Sequence, residues 1–194
     1  GDRQLGLLFT RLLAVMIVVW LGVSITGGDL LRWLTNERFH VGADLVPWLA
    51  SAVLFYGIYH LANTGLYLER KLKWSALTWA GSGSLSLILN ALLVPRFGVM
   101  AAAAAQSTTF ALLAMVVWRL SQRVHPLFLP KRRITCVSVL SLISVAIGCR
   151  LPAVTDVNTA FMKLAFLLAV TVAVLFLMEP RELPNALRRI GVIG

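Results

Sequence analysis

The chain has 194 residues, of which 59% are apolar and 13% are Asp, Glu, Lys or Arg, and its mean hydropathy is +0.83. A soluble domain carries about 25% charged residues, so this composition excludes most classes of soluble enzyme. We predict an all-α polytopic membrane protein, in which the formal net charge of +10 reflects membrane sidedness and indicates no nucleic-acid partner.

Six apolar runs are predicted as transmembrane helices. They cover residues 5–27, 45–68, 75–94, 99–120, 134–152 and 160–178. A barrel strand alternates apolar and polar residues, whereas these runs are apolar on all faces, as membrane helices are. No domain boundary is visible, so we expect residues 1–194 to form a single transmembrane bundle.

The connections between the runs carry clear stop signals. The first run stops at Gly27-Gly28-Asp29, and the second stops before the basic cluster Glu69-Arg70-Lys71-Leu72-Lys73. The turn Pro95-Arg96-Phe97-Gly98 predicts a tight antiparallel hairpin between the third and fourth helices.

The basic residues fall mainly on one side of this topology. Arg70, Lys71 and Lys73 share a side with Lys131, Arg132 and Arg133, and with both ends of the chain. Because Lys and Arg near helix ends stay in the cytoplasm, both termini are predicted to be cytoplasmic. The chain opens with Gly1 and has no cleavage site for a signal peptide, so we expect it to be part of a longer protein.

The second helix carries the clearest polar stripe. Tyr56, Tyr59, His60, Asn63 and Tyr67 recur at spacings of three and four residues on an otherwise apolar helix. One interpretation is hydrogen bonding between helices, together with an interfacial Tyr. The other is that the stripe lines a hydrated substrate cavity and contacts a sugar or a headgroup.

Four further polar residues fall within the apolar runs. Asn90 and Gln106 belong to the third and fourth helices, and both interpretations apply to them as well. Arg11 lies in the first helix and Lys163 in the sixth, where each can extend to the interface. If either faces an interior cavity, it can pair with a phosphate or pyrophosphate.

The sequence shows no signature of an integral membrane enzyme. His40, His60 and His125 fall in three different segments, and no predicted helix carries a carboxylate in its central turns. We therefore expect the chain not to be an enzyme, and we predict no catalytic residue, no metal and no cofactor.

The third and fourth helices resemble a known family. Asn90, the turn Pro95–Gly98 and the small residues Ala101–Ala105 resemble the Pro-x-x-Gly-x-x-Gly-Ala-Ala-x-Ala signature of bacterial polysaccharide biosynthesis proteins. These are the O-antigen and exopolysaccharide flippases of the multidrug/oligosaccharidyl-lipid/polysaccharide exporter superfamily. Ala101 departs from the pattern, since the family usually has a second Gly at this position. The basic residues 69–73 also resemble the loop that precedes this hairpin in the family.

The resemblance implies a two-lobed transporter of which this chain is the C-terminal six-helix lobe, with the N-terminal lobe missing. Its implied activity is movement of an undecaprenyl-pyrophosphate-linked oligosaccharide across the bacterial inner membrane by alternating access. The implied partners are that lipid-linked oligosaccharide, membrane lipids, the missing lobe or a second copy, and glycan polymerase machinery. The alternatives are a drug/cation antiporter of the same superfamily, and a membrane scaffold or half-protein with no transport of its own.

Overall fold

The computed structural model describes residues 2–124, 131–151, 154 and 157–178. Within them the chain is all-helical: α1 (Asp2–Leu34), α2 (Val46–Leu68), α3 (Leu72–Val124), α4 (Lys131–Gly148) and α5 (Val157–Met178). A 3-10 helix, Glu37–Leu45, connects α1 to α2. Four stretches of the described chain are long and apolar enough to cross a membrane, and α4 contributes a shorter apolar helix, Thr135–Gly148. These are the features of a multi-pass helical membrane protein.

The first helix does not stop at Gly27-Gly28-Asp29, as the sequence predicted, but continues to Leu34. The two glycines serve close packing instead. A Cβ on Gly27 would lie 2.7 Å from Val46 Cγ1, and a Cβ on Gly28 would lie 3.3 Å from the carbonyl oxygen of Ala43. Their lack of side chains lets α1 pass close to the 3-10 helix and the start of α2. Because α1 continues beyond these glycines, Asp29 lies inside a helix.

A compact turn joins α2 to α3. Arg70 adopts φ 54°, the left-handed conformation that follows many helix ends. Lys71 N donates to Leu66 O at 2.9 Å and Arg70 N donates to Tyr67 O at 3.0 Å, which is the bonding pattern of a Schellman motif. The turn reverses the chain within three residues, so the end of α2 lies beside the beginning of α3.

A second reversal divides α3 into two arms at Gly98. This glycine has φ 67° and ψ −153°, a left-handed backbone conformation inside an otherwise helical stretch. Ser86 Oγ donates to Gln106 Oε1 at 3.3 Å, although 20 residues on one straight helix would span about 30 Å. The predicted hairpin is therefore present. Its arms are longer than expected, because the helix includes Pro95 and extends to Val124.

Two apolar clusters hold the helices together. One joins α1 to α4 and α5 and includes Leu21, Val137 and Val174, which are almost fully buried. The other joins α2 to the second arm of α3 through Leu66 and Val117. Because α1 also packs against α2, it is the central helix of the described structure.

The remaining predicted boundaries shift by a few residues. The fifth helix was predicted to end at position 152, which lies outside the described residues, but α4 ends at Gly148. Arg150 N and Leu151 N then donate to carbonyl oxygens one turn back, which closes a tight turn. The sixth predicted helix corresponds to α5, which begins three residues earlier, at Val157. The basic connection predicted over residues 121–133 is partly helical, because α3 extends to Val124 and α4 begins at Lys131. Residues 125–130 lie outside the described residues.

Candidate functional site

The polar stripe of α2 divides between two environments. Tyr59 and Asn63 are almost fully buried against α3. Asn63 Nδ2 donates to Ser75 Oγ at 3.0 Å and to Tyr59 Oη at 3.1 Å, while Tyr59 Oη and Ser75 Oγ are 3.3 Å apart. These bonds link the end of α2 to the start of α3. Asn63 Oδ1 has no hydrogen-bond partner among the described residues.

Tyr56 and His60 lie at the edge of the same junction. The Tyr56 ring is half-buried and makes tilted or edge contacts with Phe110 and Trp79, at centroid distances of 5.3 and 6.0 Å. His60 is exposed, with its ring edge against Tyr56 at 4.4 Å. The aromatic cluster therefore joins α2 to both arms of α3. Of the five residues in the stripe, His60 and Tyr67 are exposed.

Asn90 and Gln106 are brought together across the α3 hairpin. Asn90 Nδ2 donates to the backbone oxygen of Ser86 at 2.8 Å and to its Oγ at 3.4 Å. Ser86 Oγ in turn donates to Gln106 Oε1. This chain of bonds ties the two arms together, as interhelical polar residues do in membrane proteins.

The two basic candidates have different surroundings. Arg11 lies on the exposed face of α1. Lys163 is buried, and its Nζ forms an ion pair with Asp29 Oδ2 of α1; the two side chains are 6% and 14% exposed. Asp29 Oδ1 also accepts from Val154 N at 3.4 Å. A phosphate partner was one expectation for Lys163. In the structure the carboxylate of Asp29 already neutralises the charge of Lys163.

A polar cavity of about 290 Å³ lies beside this ion pair. Its charged walls are Asp29, Lys163, Arg32 and Asp44. Arg32 Nη2 and Asp44 Oδ1 are 3.8 Å apart, and their side chains are 41% and 72% exposed. Cys149, one residue beyond the end of α4, also lines this cavity. Burial raises the pKa of the Cys149 thiol, which stays protonated at neutral pH.

A larger apolar cavity of about 520 Å³ lies between α1, α2, α4 and the second arm of α3. Four residues of α1 at spacings of three and four line one side of it. They are Phe9, Leu13, Ile17 and Trp20. None of the nine polar residues named from the sequence lines this cavity. The regular spacing of apolar residues on α1 could have indicated a packed face, but it does not distinguish a core from a groove.

No family model matches the chain, and neither a curated protein nor a solved structure matches it. In the part of the chain that the structure describes, no group of three or more His, Cys, Asp and Glu residues is placed to hold a metal ion.

Proposed function

We propose that the chain is one lobe of a transporter that moves an undecaprenyl-pyrophosphate-linked oligosaccharide across the bacterial inner membrane for surface polysaccharide biosynthesis. The observation that carries the proposal is the α3 hairpin. Its sequence resembles the flippase signature, and its Gly98 has the positive φ that favours glycine at that position. The bond between Ser86 and Gln106 supports the antiparallel arrangement of the two arms.

The proposal assigns six membrane spans to the chain. A straight helix of 53 residues would be about 80 Å long, far more than the ~30 Å hydrocarbon core, so each arm of α3 is taken as one span. α4, whose apolar part Thr135–Gly148 is about 21 Å long, is taken as a short span and completes the count with α1, α2 and α5. With an even number of spans, the two ends of the chain share the basic, cytoplasmic side.

Alternating access moves lobes as rigid units around a hydrated cavity, because pyrophosphate and glycan must be kept out of hydrocarbon. The close crossing of α1 and α4 supports such a unit here. A Cβ on Gly148 would lie 2.7 Å from Cγ1 of the buried Ile25 side chain. The ion pair between Asp29 and Lys163 adds a polar link between α1 and α5. In this proposal the lobe forms one wall of the transport cavity.

The antiporter alternative needs a carboxylate in the membrane for ion coupling. Asp29 is a buried carboxylate in α1, but Lys163 neutralises it in the described structure. This pairing favours a structural role for Asp29 and keeps the flippase as the better-supported proposal. The scaffold alternative predicts no transport from any form of the protein.

Complementation tests the proposed function. The gene is expressed with its upstream coding sequence, and separately as this chain alone, in a bacterium that lacks its own flippase and makes a matching lipid-linked glycan. We expect the longer form to restore surface glycan and the chain alone to fail. If neither form restores it while both are present in the membrane, the flippase proposal is overturned and the antiporter and scaffold alternatives gain.

A further inference from the structure

The polar and apolar cavities lie next to each other, and together they are called the cleft here. Trp48, near the start of α2, borders both of them. The stripe on α1 that lines the apolar cavity continues through Ser24 and Gly28 into the polar cavity, still at spacings of three and four residues. The same holds for α4, where Ser141 lines the apolar part and Gly148 the polar part. The cleft is therefore amphipathic along its length.

The cleft next to the charged residues is long enough for one lipid tail region. From Gly28 in the polar part to Ile17 in the apolar part, the axis of α1 extends about 16 Å, and one leaflet of the hydrocarbon core is about 15 Å thick. This part lies within a stretch of α1 that is long and apolar enough to cross a membrane. In a bilayer, acyl chains are the apolar groups available to fill such a groove.

The polar part carries charges of both signs. Asp29 and Lys163 neutralise each other as a buried pair, so they offer little net charge to a ligand. Arg32 and Asp44 are only loosely paired and exposed, which leaves one cation and one carboxylate open at the end of the cleft. A phosphate can bind Arg32 while an ammonium group binds Asp44. At about 290 Å³ this part suits a small polar group rather than a glycan.

We propose that this cleft binds one phospholipid whose headgroup carries both a phosphate and an ammonium group. Its phosphate lies at Arg32, its ammonium group at Asp44, and an acyl chain lies along the stripe of α1 from Gly28 to about Ile17. The lipid joins α1, α2, α4 and the second arm of α3. This inference does not rest on the translocation function, because binding is scored on the purified protein without any transport.

The test is a competition between two lipids. The purified, delipidated chain is mixed with equal amounts of dioleoyl phosphatidylethanolamine and dioleoyl phosphatidylglycerol, and bound lipid is counted by native mass spectrometry. We expect one retained phosphatidylethanolamine per chain, preferred over phosphatidylglycerol. Equal retention of both overturns the headgroup assignment. Absence of bound lipid overturns the proposal. A dimer in place of the lipid-bound chain also overturns it and indicates that the cleft is a protein-docking surface.

Matched variants locate the lipid. Arg32→Gln and Asp44→Asn are each expected to weaken phosphatidylethanolamine retention about tenfold, as for loss of one charged hydrogen bond. Arg38→Gln and Glu37→Gln are the controls, since these residues are exposed nearby and line neither cavity. Ser138→Phe fills the apolar part, whereas Val139→Phe changes the adjacent exposed residue outside it. Equal losses in variants and controls contradict the proposed position.

Discussion

Asp29 and Lys163 lie 134 residues apart in the sequence and form a buried ion pair that joins the end of α1 to the beginning of α5. Each charge would be costly to bury alone, and each compensates the other. The pair explains how α1 can continue past Gly27-Gly28 with a carboxylate inside it. It also fixes one end of the central helix.

Replacement of Lys163 by Met is expected to destabilise the protein by about 3–5 kcal/mol, because Asp29 then stays buried without a partner. The double variant Asp29→Asn/Lys163→Met is expected to recover much of this loss. Thermal unfolding in detergent measures both. Lys73→Met, a change at an exposed lysine, serves as control. Additive effects of the two substitutions would show that the pair is not coupled.

The crossing of α1 and α4 at Gly148 is expected to be intolerant of a side chain. The Cβ of Gly148→Ala would press against the buried Ile25 side chain, so we expect a loss of about 1–3 kcal/mol in unfolding free energy. Gly83→Ala is the matched control, because nothing lies within 4 Å of its added Cβ. The same unfolding assay compares them, and equal stability of the two variants would argue against this close packing.

In the turn between α2 and α3, Arg70 is expected to give the protein a lower stability than glycine would at the same position. Its φ of 54° costs an ordinary residue about 1 kcal/mol, which glycine avoids. Arg70→Gly should therefore unfold at a higher temperature, while Arg70→Ala, which also removes the charge, should not. A stabilisation by both variants would assign the effect to relief of charge repulsion among the basic residues 70–73.

Two substitutions in the α2 stripe are expected to affect protein stability and glycan export differently. Asn63→Ala removes the bonds to Tyr59 and Ser75, and we expect it to lower stability by about 1–2 kcal/mol. His60→Ala, at an exposed position, should leave stability unchanged. In the complementation assay, a fall in surface glycan for His60→Ala at normal protein level would support a substrate-cavity role. Unchanged export by both variants at normal protein level would contradict that role for the stripe.

The sequence predicted those features that depend on local chemistry. Long apolar runs gave the helices, and the spacing of Pro95 and Gly98 predicted the hairpin that the structure contains. The spacing of Tyr59 and Asn63 predicted a shared face, and the structure places both in a helix contact. Which residues of other helices these side chains contact is not a local property.

The errors arose where the partner of a residue is distant in the sequence. Gly27-Gly28-Asp29 has the composition of a helix stop, but its glycines face Val46 and Ala43 and its carboxylate faces Lys163. No pattern within one segment indicates such contacts. The cleft was missed for the same reason, since its walls come from four helical segments whose relative placement only the folded chain provides.

The most direct test of the proposed function is translocation in reconstituted vesicles. The protein, expressed with its upstream coding sequence, is inserted into liposomes that contain a short-chain lipid-linked oligosaccharide in both leaflets, and a sealed-vesicle lectin assay follows the glycan's movement between leaflets. We expect the glycan to exchange between leaflets faster than in protein-free vesicles and in vesicles with an unrelated membrane protein. Exchange no faster than in these controls, with correctly folded protein in the membrane, would contradict the proposed flippase function.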